Sequence, residues 1–152
     1  MPVAATRVLE LPDLAATEVL ATAVAALARA GDAILLEGEL GAGKSAFARA
    51  FLRVASGDPR LEVPSPTFTL VQSYETRIGT VHHFDLWRLD GPDGLAELGW
   101  EDVGDGVVLV EWPDRLGALR PHDALTLQLY MTGTCSRRAM LSGWLHRLGR
   151  IA

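Results

Sequence analysis

The segment Gly38–Ser45, GELGAGKS, has the residue types and spacing of a loop that binds a polyphosphate. Glycines let a backbone wrap a phosphate so that several N–H groups point at it, and a helix that follows adds its N-terminal dipole. In the pattern G-x-x-x-x-G-K-[ST], the lysine reaches the β- and γ-phosphates and the hydroxyl residue binds Mg²⁺. The predicted phosphate-binding residues are Leu40, Gly41, Ala42, Gly43, Lys44 and Ser45.

The choice of nucleotide follows from what the chain contains. Lys44 is its only lysine, and asparagine is absent. P-loop GTPases usually read guanine with an Asn-Lys-x-Asp motif, which this chain has no residues to build. The predicted ligands are therefore ATP and Mg²⁺. A chance glycine-rich turn is the alternative, and it is disfavoured because an apolar run precedes the loop and a helical pattern follows it.

Two carboxylates stand at the ends of predicted strands, where they can face the phosphates. Glu111 follows the apolar run 107–110, and Asp85 follows the run 81–84. Side chains at the carboxyl ends of neighbouring parallel strands meet in one crevice. We assign Glu111 to Mg²⁺ with Ser45 opposite it, and Asp85 to orienting or deprotonating the attacking water. The two roles are interchangeable at this point. The alternative that each residue is simply a solvated residue at a strand end also stays open.

Residues outside the loop and the two carboxylates also have functional assignments. Thr67 lies in or just after a Pro- and Gly-rich loop and is predicted to report the γ-phosphate, the alternative being an ordinary turn residue. Trp112 adjoins Glu111 and is expected near the phosphates. His82 and His83 face opposite ways on a strand, so each is expected to be a packed or exposed histidine rather than a metal ligand.

The elements that must position these residues alternate between strand and helix. Asp13 caps a predicted helix that Gly31 stops, and the loop lies between a buried strand and another helix. Predicted strands cover 33–37, 67–74, 78–86, 107–110, 124–131 and 137–145; predicted helices begin at 13, cover 44–54 and cover 92–98. These patterns predict an α/β, three-layer P-loop NTPase domain over 1–152, with a mixed, mostly parallel central sheet and C-terminal antiparallel strands.

Composition disfavours several classes of function. The chain has 152 residues, 49% of them hydrophobic, and a net charge of −5. An acidic protein is a poor candidate for binding DNA directly, because phosphate contacts need clustered Lys and Arg. We expect no membrane span and no signal peptide. Cys135 is the only cysteine, which suits a reducing cytoplasm and excludes an intramolecular disulfide.

Four blocks in order give the chain a resemblance to the bacterial TsaE (YjeE) family, the small ATPase of tRNA threonylcarbamoyladenosine synthesis. They are GELGAGKS at 38–45, SPTFTLV at 65–71, HFDLWRL at 83–89 and LVEWPDR at 109–115. The resemblance implies ATP and Mg²⁺ at the loop, Glu111 as a metal ligand, and a catalytic or switch role for Asp85. It implies a nucleotide-linked conformational role for Thr67 and Trp112.

The same resemblance implies residues beyond the loop. A C-terminal arginine that contacts nucleotide in the family corresponds to Arg137, with neighbouring Arg138 as the alternative. Thr17 corresponds to a position close to the adenine, and Leu14 stands where some relatives carry a polar residue. Trp87 replaces the usual tyrosine.

The resemblance also implies partners. The chain would bind the TsaD and TsaB proteins, reach tRNA only through that complex, and reset it by hydrolysing ATP slowly until the partners stimulate it. Two alternatives stay open: a small-molecule P-loop kinase, and a nucleotide-gated binding module with little catalysis. The sequence shows no pocket for a second substrate, which favours the accessory ATPase.

Overall fold

Seven β-strands form one mixed sheet in the computed structural model, which describes residues 6–66 and 68–151. The strands are β1 Thr6–Leu11, β2 Ala33–Glu37, β3 Val71–Thr76, β4 Gly79–Asp85, β5 Val107–Glu111, β6 Leu125–Met131 and β7 Arg137–Ser142. Their order across the sheet is β1-β7-β6-β2-β5-β4-β3. The α/β class is confirmed, and β2, which leads into the glycine-rich loop, is the central strand.

The four middle strands of the sheet run parallel, and antiparallel strands flank them. β2 pairs in parallel with β5 and β6, and β4 pairs in parallel with β5. The hairpin β3–β4, the hairpin β6–β7 and the pair β1–β7 are antiparallel. Parallel strands end at the same edge, and the register sets Asp85 directly beside Glu111. The carboxylates predicted at strand ends therefore face one edge of the sheet.

Two α-helices cover one face of the sheet. Helix α1, Leu14–Leu27, is preceded by its N-cap Asp13, whose side chain accepts from the Ala16 N–H group. Helix α2, Lys44–Ser56, follows the glycine-rich loop and buries Phe47, Phe51 and Leu52. The two helices pack against each other and enclose the larger of two apolar clusters. Within the described part of the chain, no helix is long and apolar enough to span a membrane.

Short 3-10 turns form the layer on the opposite face, where a short helix over 92–98 was expected. The turns are Pro92–Gly94, Ala96–Leu98, Trp100–Asp102 and Pro113–Leu119, and a fifth, Leu148–Arg150, lies near the C-terminus. The first four of these turns cover a second apolar cluster that includes Leu35, Phe84 and Val110. The predicted short helix is present as two 3-10 turns, because Gly94 interrupts a segment too short to sustain α-helical hydrogen bonding.

Several other boundaries differ from the prediction. Strand β1 was not predicted, since a six-residue edge strand depends on β7 for its pairing. Strand β3 begins at Val71 and not at 67, because the backbone turns at Leu70, which has a φ of 65°. Strand β7 ends at Ser142 and not at 145, because Gly143 and Trp144 have φ values of 96° and 45°. Helix α1 ends at Leu27, before Gly31.

Candidate functional site

The glycine-rich loop connects the carboxyl end of β2 to the first turn of α2. At Gly38 a Cβ atom would lie 2.7 Å from the carbonyl oxygen of Leu129, so any side chain there would push the loop away from β6. Gly43 is the N-cap of α2, with a φ of 107°, and it makes no side-chain cap. The N–H groups of the first helical turn are thereby left to an anion, as phosphate-binding loops require.

The Lys44 side chain lies folded against the loop and is 5% exposed. Its Nζ atom donates to the Gly38 carbonyl and, at 3.3 Å, to the Glu39 carbonyl. The same Nζ lies 3.7 Å from the centroid of the Trp112 ring, a cation–π contact. Burial lowers the pKa of Lys44, although the carboxylates of Glu111, Asp85 and Asp114 oppose that shift.

Ser45 and Glu111 face each other across the start of α2. The Ser45 hydroxyl donates to Glu111 Oε1 at 3.2 Å. The other carboxylate oxygen, Oε2, is 2.7 Å from His83 Nε2. Hydroxyl and carboxylate oxygens are the hard donors that Mg²⁺ prefers, and Mg²⁺ commonly uses one or two protein ligands together with phosphate and water.

Asp85 ends β4 beside Glu111 and is 6% exposed. Its Oδ1 accepts a hydrogen bond from the Trp87 N–H group at 3.1 Å. Burial raises the pKa of the Asp85 carboxyl, and the nearby Glu111 charge adds to that shift. The Trp87 N–H group, His83 and Lys44 act in the opposite direction. The carboxyl is thus held in a confined position with its proton affinity increased, as is useful for a base.

Trp112 connects the carboxylate edge to the loop. Its backbone is left-handed, with φ 59° and ψ 53°, which is uncommon for a bulky residue. Pro113 follows it, and the Trp112 ring lies 4.6 Å from the ring of Trp87, centroid to centroid. The strained backbone and the Lys44 contact place Trp112 against the loop. Such strain is often found at functional sites.

One cavity of about 280 Å³ collects most of these residues. Its lining includes Lys44, Ser45, Asp85, Glu111 and Trp112, and it opens onto Leu40, Gly41 and Gly43 of the loop. The cavity brings together side chains from α2, β4 and β5. The donor set suits a magnesium–polyphosphate: one ammonium, a glycine cradle at a helix N-terminus, a hydroxyl and two carboxylates.

Arg137 is the first residue of β7, and its side chain donates hydrogen bonds to the glycine-rich loop. Its Nε donates to the Ala42 carbonyl at 3.1 Å, and its Nη2 donates to the Gly41 carbonyl at 3.2 Å. Arg138 instead forms an ion pair with Glu10 at 2.7 Å. Of the two arginines, Arg137 is therefore the one that contacts the loop.

The remaining predicted residues are placed as follows. Thr67 lies outside the described residues. Ser65, two positions earlier, lines the cavity with Lys44. Thr17 is buried in α1 with 5% exposure, whereas Leu14 at the start of that helix is 59% exposed.

The contact between His83 and Glu111 was not predicted from the sequence, which indicated only a packed or exposed histidine. Side chains alternate along a strand, so His83 shares the face of Asp85 while His82 faces the other way. The Nδ1 atom of His82 lies 2.8 Å from the Ser73 hydroxyl. This period of two places His83 beside the carboxylates and was a signal available in the sequence.

A second cavity of about 670 Å³ adjoins the first one and was not predicted. The two cavities share Leu40, Trp87 and Trp112. The charged residues that line the larger cavity are Glu37 and Glu39, both acidic.

Among residues 6–66 and 68–151, no group of three His, Cys, Asp or Glu side chains could hold a metal. A metal bound beside Ser45 and Glu111 would therefore need further ligands from nucleotide or water.

Comparison with known sequences gives one consistent result. Residues 11–139 match the profile of the family described as threonylcarbamoyl adenosine biosynthesis protein TsaE. A TsaE protein of Bacillus subtilis is 35% identical over 123 residues, which cover 80% of this chain and 75% of that protein. A TsaE protein of Rickettsia felis is 39% identical over 99 residues, or 64% of this chain. The chain matches 57% of the length of the Rickettsia felis protein, little more than half.

Comparison with solved structures agrees with the sequences. The crystal structure of YdiB from Bacillus subtilis superposes with a TM-score of 0.74. The sequence identity is 26%, and the superposition covers 99% of this chain and 92% of YdiB. The fold is thus shared with an experimentally determined protein.

Proposed function

Since this chain belongs to the TsaE family of threonylcarbamoyl adenosine biosynthesis proteins, we propose that it is an accessory ATPase of tRNA threonylcarbamoyladenosine synthesis. In this proposal it binds ATP with Mg²⁺ at the loop 38–45 and hydrolyses it. The observation that carries the proposal is the convergence of Lys44, Ser45, Asp85 and Glu111 on one cavity at the mouth of α2.

Each residue has a role that its position supports. The loop N–H groups and Lys44 bind the β- and γ-phosphates, for which Lys44 exchanges its contacts with the Gly38 and Glu39 carbonyls. Ser45 and Glu111 hold Mg²⁺, which when bound neutralises charge on the phosphate oxygens. Asp85 orients the attacking water and accepts its proton. ATP is preferred to GTP because the chain has no asparagine and only one lysine.

The partners proposed for this ATPase are the TsaB and TsaD proteins, with TsaD carrying out threonylcarbamoyl transfer to adenosine 37 of tRNA. Among the described residues, the cavity at the loop is lined by no arginine that could act as a finger on the γ-phosphate. Hydrolysis by the free chain should therefore be slow, since such a cation strongly accelerates phosphoryl transfer. Partners would then act by completing or ordering the site.

Steady-state ATPase assays with and without purified TsaB and TsaD test this proposal. We expect the partners to raise the turnover number by about tenfold or more, in keeping with the large effects of completing a phosphoryl-transfer site. The matched control is the Lys44→Met variant mixed with the same partners, which should show no stimulation. Fast turnover that the partners leave unchanged would contradict the proposal.

Glu111→Gln is expected to weaken magnesium-dependent nucleotide binding selectively. Glutamine keeps the size and an oxygen acceptor but removes the charge that faces Ser45. The Mg²⁺ concentration that half-saturates nucleotide binding should rise at least about tenfold. Tenfold is about the smallest loss of metal affinity seen when a residue that only orients a ligand is altered, and Glu111 is proposed as a ligand itself. Binding of ADP in EDTA should stay close to the wild-type value. Fluorescence titration of ADP at several Mg²⁺ concentrations measures both quantities.

Glu37→Gln is the matched control for that variant. Glu37 also ends a central strand, but its carboxylate pairs with Arg120 at 3.1 Å and lies outside the cavity that Lys44 lines. It should leave the Mg²⁺ dependence unchanged. Equal losses with and without Mg²⁺ in Glu111→Gln would assign Glu111 a structural role instead.

A further inference from the structure

The buried imidazole of His83 lies directly behind the carboxylate to which the proposed function assigns Mg²⁺. His83 Nε2 is 2.7 Å from Glu111 Oε2, and the two side chains are 2% and 3% exposed. His83 has no place in the roles described above. Its contact is with a site residue from the adjacent strand, so it is a candidate for acting through that residue.

The two oxygens of Glu111 have different partners. Oε2 faces His83, and Oε1 faces the Ser45 hydroxyl at the start of α2. The terminal torsion of a glutamate is broad and roughly two-fold, so a carboxylate without a fixed partner samples many orientations. A hydrogen bond from His83 Nε2–H to Oε2 removes that freedom and leaves Oε1 directed at Ser45.

We propose that His83 is a positioning residue for Glu111. It holds the carboxylate in the orientation that presents one oxygen, together with the Ser45 hydroxyl, to Mg²⁺. The inference rests on the proposed function, because Glu111 needs this orientation only if it binds the metal. Outer-shell hydrogen bonds of this kind orient metal ligands, and losing one typically costs 10–100-fold in metal affinity.

A purely structural role for His83 makes a different prediction. Burying a carboxylate without a partner is costly, so His83 also stabilises the fold by satisfying Glu111. That contribution would appear in the unfolding temperature and would affect nucleotide binding equally with and without Mg²⁺. A positioning role predicts a loss confined to binding in the presence of Mg²⁺.

Two substitutions distinguish a hydrogen bond made by Nε2 of His83 from one made by Nδ1. The amide nitrogen of glutamine reaches about as far as Nε2, whereas that of asparagine reaches only as far as Nδ1. Nδ1 of His83 has no hydrogen-bond partner among the described residues, so only the Nε2 position carries the contact. His83→Gln should therefore preserve the hydrogen bond to Glu111, and His83→Asn should lose it. His82→Asn is the matched control on the opposite face of β4.

The experiment is a fluorescence titration of ADP against each full-length variant, repeated over a series of Mg²⁺ concentrations and in EDTA. For His83→Asn we expect the half-saturating Mg²⁺ concentration to rise about tenfold, with ADP affinity in EDTA changed less than about twofold. His83→Gln and His82→Asn should match the wild type. Equal Mg²⁺ dependence in His83→Asn and wild type would overturn the inference, as would parallel losses in Mg²⁺ and EDTA.

A measurement on the wild-type protein does not depend on whether the variants fold. The ¹⁵N signals of the His83 ring should move when Mg²⁺ is added to the ADP-bound protein, while those of His82 stay in place. If ADP binding responds to Mg²⁺ but the His83 signals stay unchanged, the inference is overturned while the proposed function stands. Wild-type ADP binding that is indifferent to Mg²⁺ would contradict the metal site of the proposed function, and the inference with it.

Discussion

Replacing Lys44 by methionine is expected to lower the affinity for MgATP by roughly 10- to 150-fold, the loss that corresponds to one hydrogen bond from a charged group. Methionine keeps most of the aliphatic stem of Lys44, a residue that is 5% exposed. The ammonium is the part that is removed. Isothermal titration calorimetry with MgATP measures the change.

Folding should survive the same substitution. The Lys44 ammonium donates to two loop carbonyls, and the nearby Glu111 carboxylate keeps its contacts with Ser45 and His83 when the ammonium is removed. Burial lowers the pKa of Lys44, which shows that enclosing the charged ammonium carries a desolvation cost. Circular dichroism and the unfolding temperature should therefore stay near wild-type values, with Arg49→Met on the exposed side of α2 as the control. An unfolded Lys44→Met, or one with undiminished affinity, would contradict the assignment.

Asp85→Asn is expected to reduce ATP hydrolysis by about 10²- to 10⁴-fold, the usual range for losing a general base. MgATP affinity should change much less, since Lys44 and the loop N–H groups supply the phosphate contacts. Asparagine keeps an oxygen that can accept from the Trp87 N–H group, so the local turn should persist. Single-turnover hydrolysis and calorimetry, measured on the same preparation, separate the two effects.

Asp114→Asn is the matched control for Asp85. Its carboxylate is close enough to influence Lys44, but it pairs with Arg115 at 3.0 Å and does not line the cavity. Hydrolysis should be close to wild type in this variant. If Asp85→Asn keeps its turnover and loses only partner binding, the chain is better described as a nucleotide-gated binding module.

The sequence predicted the parts of the site that depend on local signals. An apolar run, a glycine-rich turn and a helical period lie within a short stretch, and the structure has β2, the loop and α2 there. The placement of Glu111 also followed from local signals, because a buried strand must end where its apolar run ends. Asp85 followed in the same way, and the register of β4 with β5 brings the two together.

Features set by distant pairing were harder to predict. Strand β1 is stabilised by β7, and nothing within its own six residues signals that partner. Glu111 contacts Ser45 through Oε1 and His83 through Oε2. In the sequence, these two partners lie 66 and 28 positions away from Glu111. The left-handed backbone of Trp112 likewise depends on the surrounding packing, because a tryptophan has no intrinsic preference for a positive φ.

Calorimetric titration of the wild-type protein with ATP and Mg²⁺ tests the central claim most directly. We predict one ATP bound per chain, weaker binding when EDTA removes Mg²⁺, and loss of the signal in Lys44→Met. GTP should bind less well than ATP. Absence of any MgATP binding, by the chain alone and with TsaB and TsaD present, would contradict the account.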